Sequence, residues 1–191
     1  TSHHTHHIIH ITSYTEHHTQ NNVHKTASPK QDAQNSMNKT RINHAYLLIG
    51  PEHIGKSTLS LEITKFIHCS EETKPCQECP QCLRVNEKTH PDVVLVGNTI
   101  GEVREIQEQV SLSPFFSTSK TFIILNGENL TIEASNALLK ILEEPPNNVT
   151  FLICATDEQY LPTTIVSRCQ NLELYPLSVE QIHDYLIRYF D

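Results

Sequence analysis

Residues 44–58 read HAYLLIGPEHIGKST, and this stretch decides the fold. His44 to Ile49 is a short apolar run ending at Gly50, and from Ser57 to His68 the apolar residues Leu59, Ile63, Phe66 and Ile67 recur at helical spacing. A buried strand therefore meets a helix through Gly50-Pro51-Glu52-His53-Ile54-Gly55-Lys56-Ser57, which satisfies G-x-x-x-x-G-K-[S/T]. Glycines let the backbone wrap a polyphosphate, and the helix start offers unpaired N–H groups. Lys56 can neutralise the β and γ phosphates, and Ser57 can ligate Mg²⁺. In an ordinary turn the same eight residues would be a chance match; the flanking strand and helix make them a phosphate loop. Gly50, Gly55, Lys56, Ser57 and Thr58 are thus the candidate binding residues for ATP with Mg²⁺.

Outward from this loop the pattern repeats. Asp92 to Val96 (DVVLV), Lys120 to Leu125 (KTFIIL) and Val149 to Ala155 (VTFLICA) read as buried strands. Glu102 to Val110 is an amphipathic helix with Val103, Ile106 and Val110 on one face, and Ile132 to Glu144 is a helix stopped by Pro145 and Pro146. Strands that are nearly all apolar and alternate with helices predict an α/β fold with a parallel sheet covered on both faces. After a turn at Pro176 to Ser178, Val179 to Phe190 reads as a last helix that begins a second domain.

Four of the six cysteines, Cys69, Cys76, Cys79 and Cys82, form C-x6-C-x2-C-x2-C in the polar segment CSEETKPCQECPQC. Four thiolates so spaced can close a tetrahedron around Zn²⁺, and a full set of four leaves no position for a catalytic water, so the site is expected to be structural. Disulfides and an iron–sulfur cluster are the rivals, the first disfavoured in a reducing compartment. Cys154 falls in a buried strand and reads as a small core residue.

The chain has 191 residues, a net charge of −8 and 13 histidines, eight of which lie in the first 24 positions. That Thr/Ser/Asn/Gln-rich stretch to about Thr40 has too few large apolar residues to offset its chain entropy and is expected to be disordered. Its histidines could bind metal, but a solvated tail is the simpler reading. Met37, the sole methionine, stands a few residues before the first strand and is expected to be the translation start, with residues 1–36 lying upstream of it. With residues 1–40 set aside, 11 Lys and Arg face 20 Asp and Glu, which argues against a protein that coats duplex DNA by charge and suits one whose partners are proteins. No run approaches the ~18 apolar residues of a membrane span, and the expected location is the cytoplasm.

Taken together, HAYLLIGPEHIGKST, the four-Cys module, HPDVVLV, EVREIQEQV followed by Pro114, KTFIIL, NALLKILEEPP (136–146), FLICAT and TTIVSRCQ resemble one family: the bacterial DNA polymerase III clamp-loader subunits of the AAA+ class, in their delta-prime and gamma/tau branches. The resemblance spans about residues 42–178. It implies a RecA-like ATPase module over 41–175 with a zinc insert at 69–90, and a helical lid domain of which 176–191 would be the start. It also implies a role for Arg168, in Ser167-Arg168-Cys169, as the arginine finger inserted into a neighbour's ATP site. Thr156 matches the position that senses the γ phosphate, although a hydroxyl after a strand also serves as a simple cap.

An acidic pair is expected at the end of the KTFIIL segment, one carboxylate for Mg²⁺ and one for the attacking water. Counting back from Asn136 places Leu125 and Asn126 there instead. Leu125 can neither hold Mg²⁺ nor take a proton. The resemblance therefore points to the delta-prime branch: nucleotide binding without hydrolysis at its own site, and Arg168 lent to an active neighbour. The implied partners are gamma/tau and delta subunits, with the sliding clamp and primed DNA engaged through the complex. One alternative is an active gamma/tau-type ATPase with Glu128 recruited as the carboxylate. A second is a zinc-stabilised DNA-binding module, disfavoured because Glu71, Glu72, Glu78 and Glu87 oppose Lys74, Arg84 and Lys88 around the insert.

Overall fold

The computed structural model describes residues 42–97 and 99–180, together with His183 and Ile187. The histidine-rich segment, Met37 and most of the helix expected over 179–190 lie outside the described residues. The elements are β1 (Ala45–Ile49), α1 (Lys56–His68), α2 (Pro80–Asn86), β2 (Val93–Val96), α3 (Ile100–Val110), β3 (Lys120–Ile124), α4 (Ile132–Glu143), β4 (Val149–Ala155), α5 (Thr163–Val166) and β5 (Gln170–Glu173). Short 3-10 turns at Gly127–Asn129 and Glu158–Tyr160 complete them.

Among the described residues the five strands form one parallel sheet in the order β2-β3-β4-β1-β5. The central strands β1, β3 and β4 are apolar along almost their whole length because both faces are covered. Alternate residues separate two cores. Leu47, Phe122, Ile124, Phe151 and Ile153 pack with Val103 and Ile106 of α3 and Leu138 of α4. Tyr46, Leu48, Ile123, Leu152 and Cys154 pack with Leu59 and Ile63 of α1. Phe122 and Phe151, level with each other on adjacent strands, stack with ring centres 5.2 Å apart.

The helix starts have chemical causes. Thr99 and Glu102 form a reciprocal capping box on α3, and the Thr131 hydroxyl accepts from Ala134 N–H at 3.1 Å on α4. Pro145 and Pro146 end α4 one residue earlier than the sequence spacing predicts, with Glu144 as the cap.

Three elements correct the sequence reading: β2, read as a buried strand, is an edge strand in which Val96 alone is buried and Leu95 is exposed. The sheet has a fifth strand, β5, where only four were expected; it is an edge strand with Leu172 alone buried, so QNLE lacks an apolar run. The cysteine insert contains a helix, α2, that starts with Pro80 in its first turn and Cys79 as its cap.

Candidate functional site

The phosphate loop leaves β1 at the carboxyl end of the sheet. Gly50 N–H donates to Ala155 O at 3.2 Å, which joins the loop to the end of β4 and sets Thr156, the following residue, beside it. A Cβ at Gly50 would come within 2.6 Å of Leu174 O, so glycine is required there by a backbone neighbour. Gly55 has φ 98°, a left-handed conformation that favours glycine, and a Cβ on it would meet nothing within 4 Å. The space beside the helix start is therefore open. His53 also adopts positive φ, 62°, within the same turn.

Lys56 reaches back into its own loop, its Nζ donating to Gly50 O at 2.7 Å and Pro51 O at 2.8 Å. No side chain caps α1, and its first turn carries no acidic residue. An uncapped helix start with an ammonium folded over it fits a polyphosphate anion, since the first N–H groups are unpaired and the dipole favours negative charge. Ser57 is exposed and Thr58 half-buried at this start. At the end of β3, Leu125 and Asn126 are exposed and offer no carboxylate. Glu128, in the turn that follows, has a buried Oε2 without a hydrogen-bond partner.

The Sγ atoms of Cys69, Cys76, Cys79 and Cys82 lie within 4.8 Å of one another. Cys69 and Cys79 sulfurs are 3.9 Å apart, close to the ~3.8 Å that a tetrahedron with ~2.3 Å Zn–S bonds requires. Backbone N–H groups of Cys79 and Cys82 donate to the sulfurs of Cys76 and Cys79, a pattern that stabilises thiolates. Burial opposes charge on Cys79, yet the N–H groups of Cys82 and Ser70 outweigh it and bring that thiol down; burial pushes Cys82 up. A donor set of four convergent sulfurs fits Zn²⁺. The insert is tied to α1 by Lys65, which is buried and donates to Glu62 Oε1 and Gln77 Oε1, both at 2.5 Å, while Gln77 donates to Glu62 Oε2 at 2.9 Å.

Arg168 lies at the other end of the sheet. Gln170 is level with Tyr46, and at ~3.3 Å per residue Gly50 is about 13 Å further along the strand direction, whereas Arg168 precedes Gln170. Its guanidinium donates from Nη1 to Thr164 O at 2.8 Å and from Nη2 to Glu143 Oε1 at 2.9 Å. The structure thus brings the loop residues and Thr156 together, gathers the four cysteines, and sets Arg168 apart from the phosphate loop.

Sequence reasoning missed three polar residues that organise these regions. Asp92 is buried and accepts from the N–H groups of Phe115, Phe116 and Ser117 and from the Ser117 hydroxyl, at 2.5 to 3.1 Å. Burial opposes its charge, and these donors hold its carboxyl below the usual range. Lys65 and Glu143 are the others. The acidic residue ahead of Pro145 was visible as part of NALLKILEEPP, but its partner, 25 residues away, was not.

Residues 25–178 match the family described as DNA polymerase III, delta subunit. The delta-prime subunit of DNA polymerase III from Bacillus subtilis is 37% identical over 153 residues, covering 77% of this chain and 46% of that protein. The tau subunit from the same organism is 34% identical, covering 74% and 26%, and a gamma subunit from Buchnera aphidicola is 36% identical, covering 76% and 42%. The chain spans between about a quarter and a half of these relatives. Among solved structures, a DNA polymerase III gamma-subunit-related protein from Thermotoga maritima superposes with a TM-score of 0.57 at 22% identity, covering 86% of this chain and 55% of that one. The RuvB Holliday junction branch migration motor of Thermotoga maritima gives 0.52 at 18%, covering 84% and 48%. The fold is therefore that of an AAA+ phosphate-loop module.

Proposed function

Because the chain belongs to the DNA polymerase III delta-subunit family, we propose that it is the nucleotide-binding module of a delta-prime-type clamp-loader subunit, working in the cytoplasm without hydrolysing ATP at its own site. The observation that carries this reading is the separation of Arg168 from its own phosphate loop by the length of the sheet. A guanidinium so placed is out of reach of its own phosphate loop, which supports a role at the nucleotide of a neighbouring subunit. There, aimed at the γ phosphate, it stabilises charge in the transition state, a contribution of about 10³–10⁵ in rate for such residues.

On the chain's own side, Lys56, Ser57, Thr58 and the first N–H groups of α1 would hold ATP with Mg²⁺, and Thr156 would face the γ phosphate. Ser57 would be the side-chain ligand for Mg²⁺, which when bound would supply neutralisation of the phosphate charge. Nothing at Leu125 or Asn126 can take a proton from water, which supports binding without turnover. Zn²⁺ on Cys69, Cys76, Cys79 and Cys82 would be structural. The partners of the module are gamma/tau-type and delta subunits, and the sliding clamp and primed DNA are met through that complex.

The unpartnered Oε2 of Glu128 favours a second reading, an active gamma/tau-type ATPase in which this carboxylate replaces the missing acid. Equilibrium binding of labelled ATP and steady-state turnover by the metal-loaded chain separate the two. Binding with turnover at background is expected; turnover matching a gamma/tau subunit would overturn the proposal.

A further inference from the structure

Glu143 is the last residue of α4, where the helix dipole disfavours a carboxylate, and it faces Arg168 at 2.9 Å. The two side chains are 46% and 34% exposed, so the pair adds little to folding stability. A carboxylate that neither suits its helix nor holds the fold together has its purpose in its partner. Both ends of the contact are fixed to the same core: Leu142 precedes Glu143 and Ile165 lies three residues before Arg168, each buried against the sheet. Thr164 O takes Nη1 and Glu143 Oε1 takes Nη2, from two different helices. Two acceptors on separate rigid supports fix the plane of a guanidinium, which a single acceptor would leave free to swing. Because arginine carries five N–H donors in a planar fork, several remain for a phosphate after these two are used.

We infer that Glu143 is a positioning residue for the arginine finger: together with Thr164 O it orients Arg168 before a partner's nucleotide arrives. This inference rests on the trans role proposed above for Arg168. Misplacement of a catalytic group by about 1 Å can cost about 100-fold. Loss of Glu143 therefore lowers the chemical step in the partner without altering how the partner binds ATP.

The test is single-turnover ATP hydrolysis by the reconstituted clamp-loader complex carrying Glu143→Ala, Glu143→Gln or Arg168→Ala, with assembly checked by size-exclusion chromatography. Glu143→Ala is expected to lower the maximal rate at the site served by Arg168 by about 10- to 100-fold, with the ATP dependence unchanged. Glu143→Gln, which keeps the length and one acceptor oxygen, should recover most of that loss, and Glu143→Ala should add nothing in an Arg168→Ala background. Three results would overturn the inference: a wild-type rate beside a slow Arg168→Ala complex, a faster rate, or a further loss in the Arg168→Ala background. Loss of assembly by Glu143→Ala counts against it too, as that is a structural role. If Arg168→Ala itself leaves the rate unchanged, the trans reading fails instead.

Discussion

Stripping metal from the four-cysteine insert should unfold the insert and spare the sheet. The buried cluster inside the insert consists of cysteines alone, and Val85 is the one aliphatic side chain that α2 buries. Fixing the fourteen residues from Cys69 to Cys82 costs about 14 kcal/mol of backbone entropy at ~1 kcal/mol each. The ~10–16 kcal/mol of apparent zinc binding is of the size needed to offset that cost. The sheet has its own cores above and below, neither of which includes a cysteine of the insert. Hydrogen exchange followed by mass spectrometry, with and without a chelator, reads both regions at once. Residues 69–86 should exchange at least about 1,000-fold faster after metal removal, equivalent to ~4 kcal/mol of local stability. Peptides from β3 and β4 should change by less than about tenfold. The end of α1 should loosen partially, because Lys65 keeps Glu62 but loses Gln77. Equal exchange in the insert with and without chelator would refute the metal site, and simultaneous exposure of β3 and β4 would refute its independence from the sheet.

Asp92→Asn replaces one acceptor oxygen with a donor opposite backbone N–H groups and should cost about 1–3 kcal/mol in chemical denaturation. Since the folded pKa of Asp92 is depressed, its contribution is complete above the unfolded carboxylate value and is lost as pH falls through the lower folded one. The stability gap between wild type and Asp92→Asn should thus be constant above about pH 5 and shrink below about pH 4; a gap that grows on acidification would contradict the assignment. Gly50→Ala forces a methyl to within 2.6 Å of Leu174 O and should lower stability by about 1–3 kcal/mol. Nucleotide affinity should fall with it, whereas an unchanged thermal midpoint and an unchanged ATP titration would show that the loop has room.

The strand-and-loop grammar of the fold was legible because its central strands are apolar on both faces and its phosphate loop is a local motif. Ala45–Ile49, Lys120–Ile124 and Val149–Ala155 announce themselves by composition. Strand β5 does not: with one face of an edge partly wet, Gln170, Asn171 and Glu173 hide the single buried Leu172. The phosphate loop from Gly50 to Thr58 and the convergence of the four cysteines were equally readable, since both are set by spacing along the chain. Pairings across the fold were not. Asp92 meets residues 23 to 25 positions away, and Glu143 meets Arg168 across 25, distances at which sequence spacing carries no geometric information. Lys65 is buried because the insert folds back over it and supplies Gln77, a partner 12 residues away.

The central claim is that this module serves a neighbour's ATP site through Arg168. Steady-state ATP turnover by the reconstituted complex, wild type against Arg168→Ala at equal assembly, tests it most directly. Turnover at the site facing Arg168 should fall by at least about 1,000-fold while nucleotide binding to this chain persists. Unchanged turnover in a fully assembled Arg168→Ala complex would contradict it.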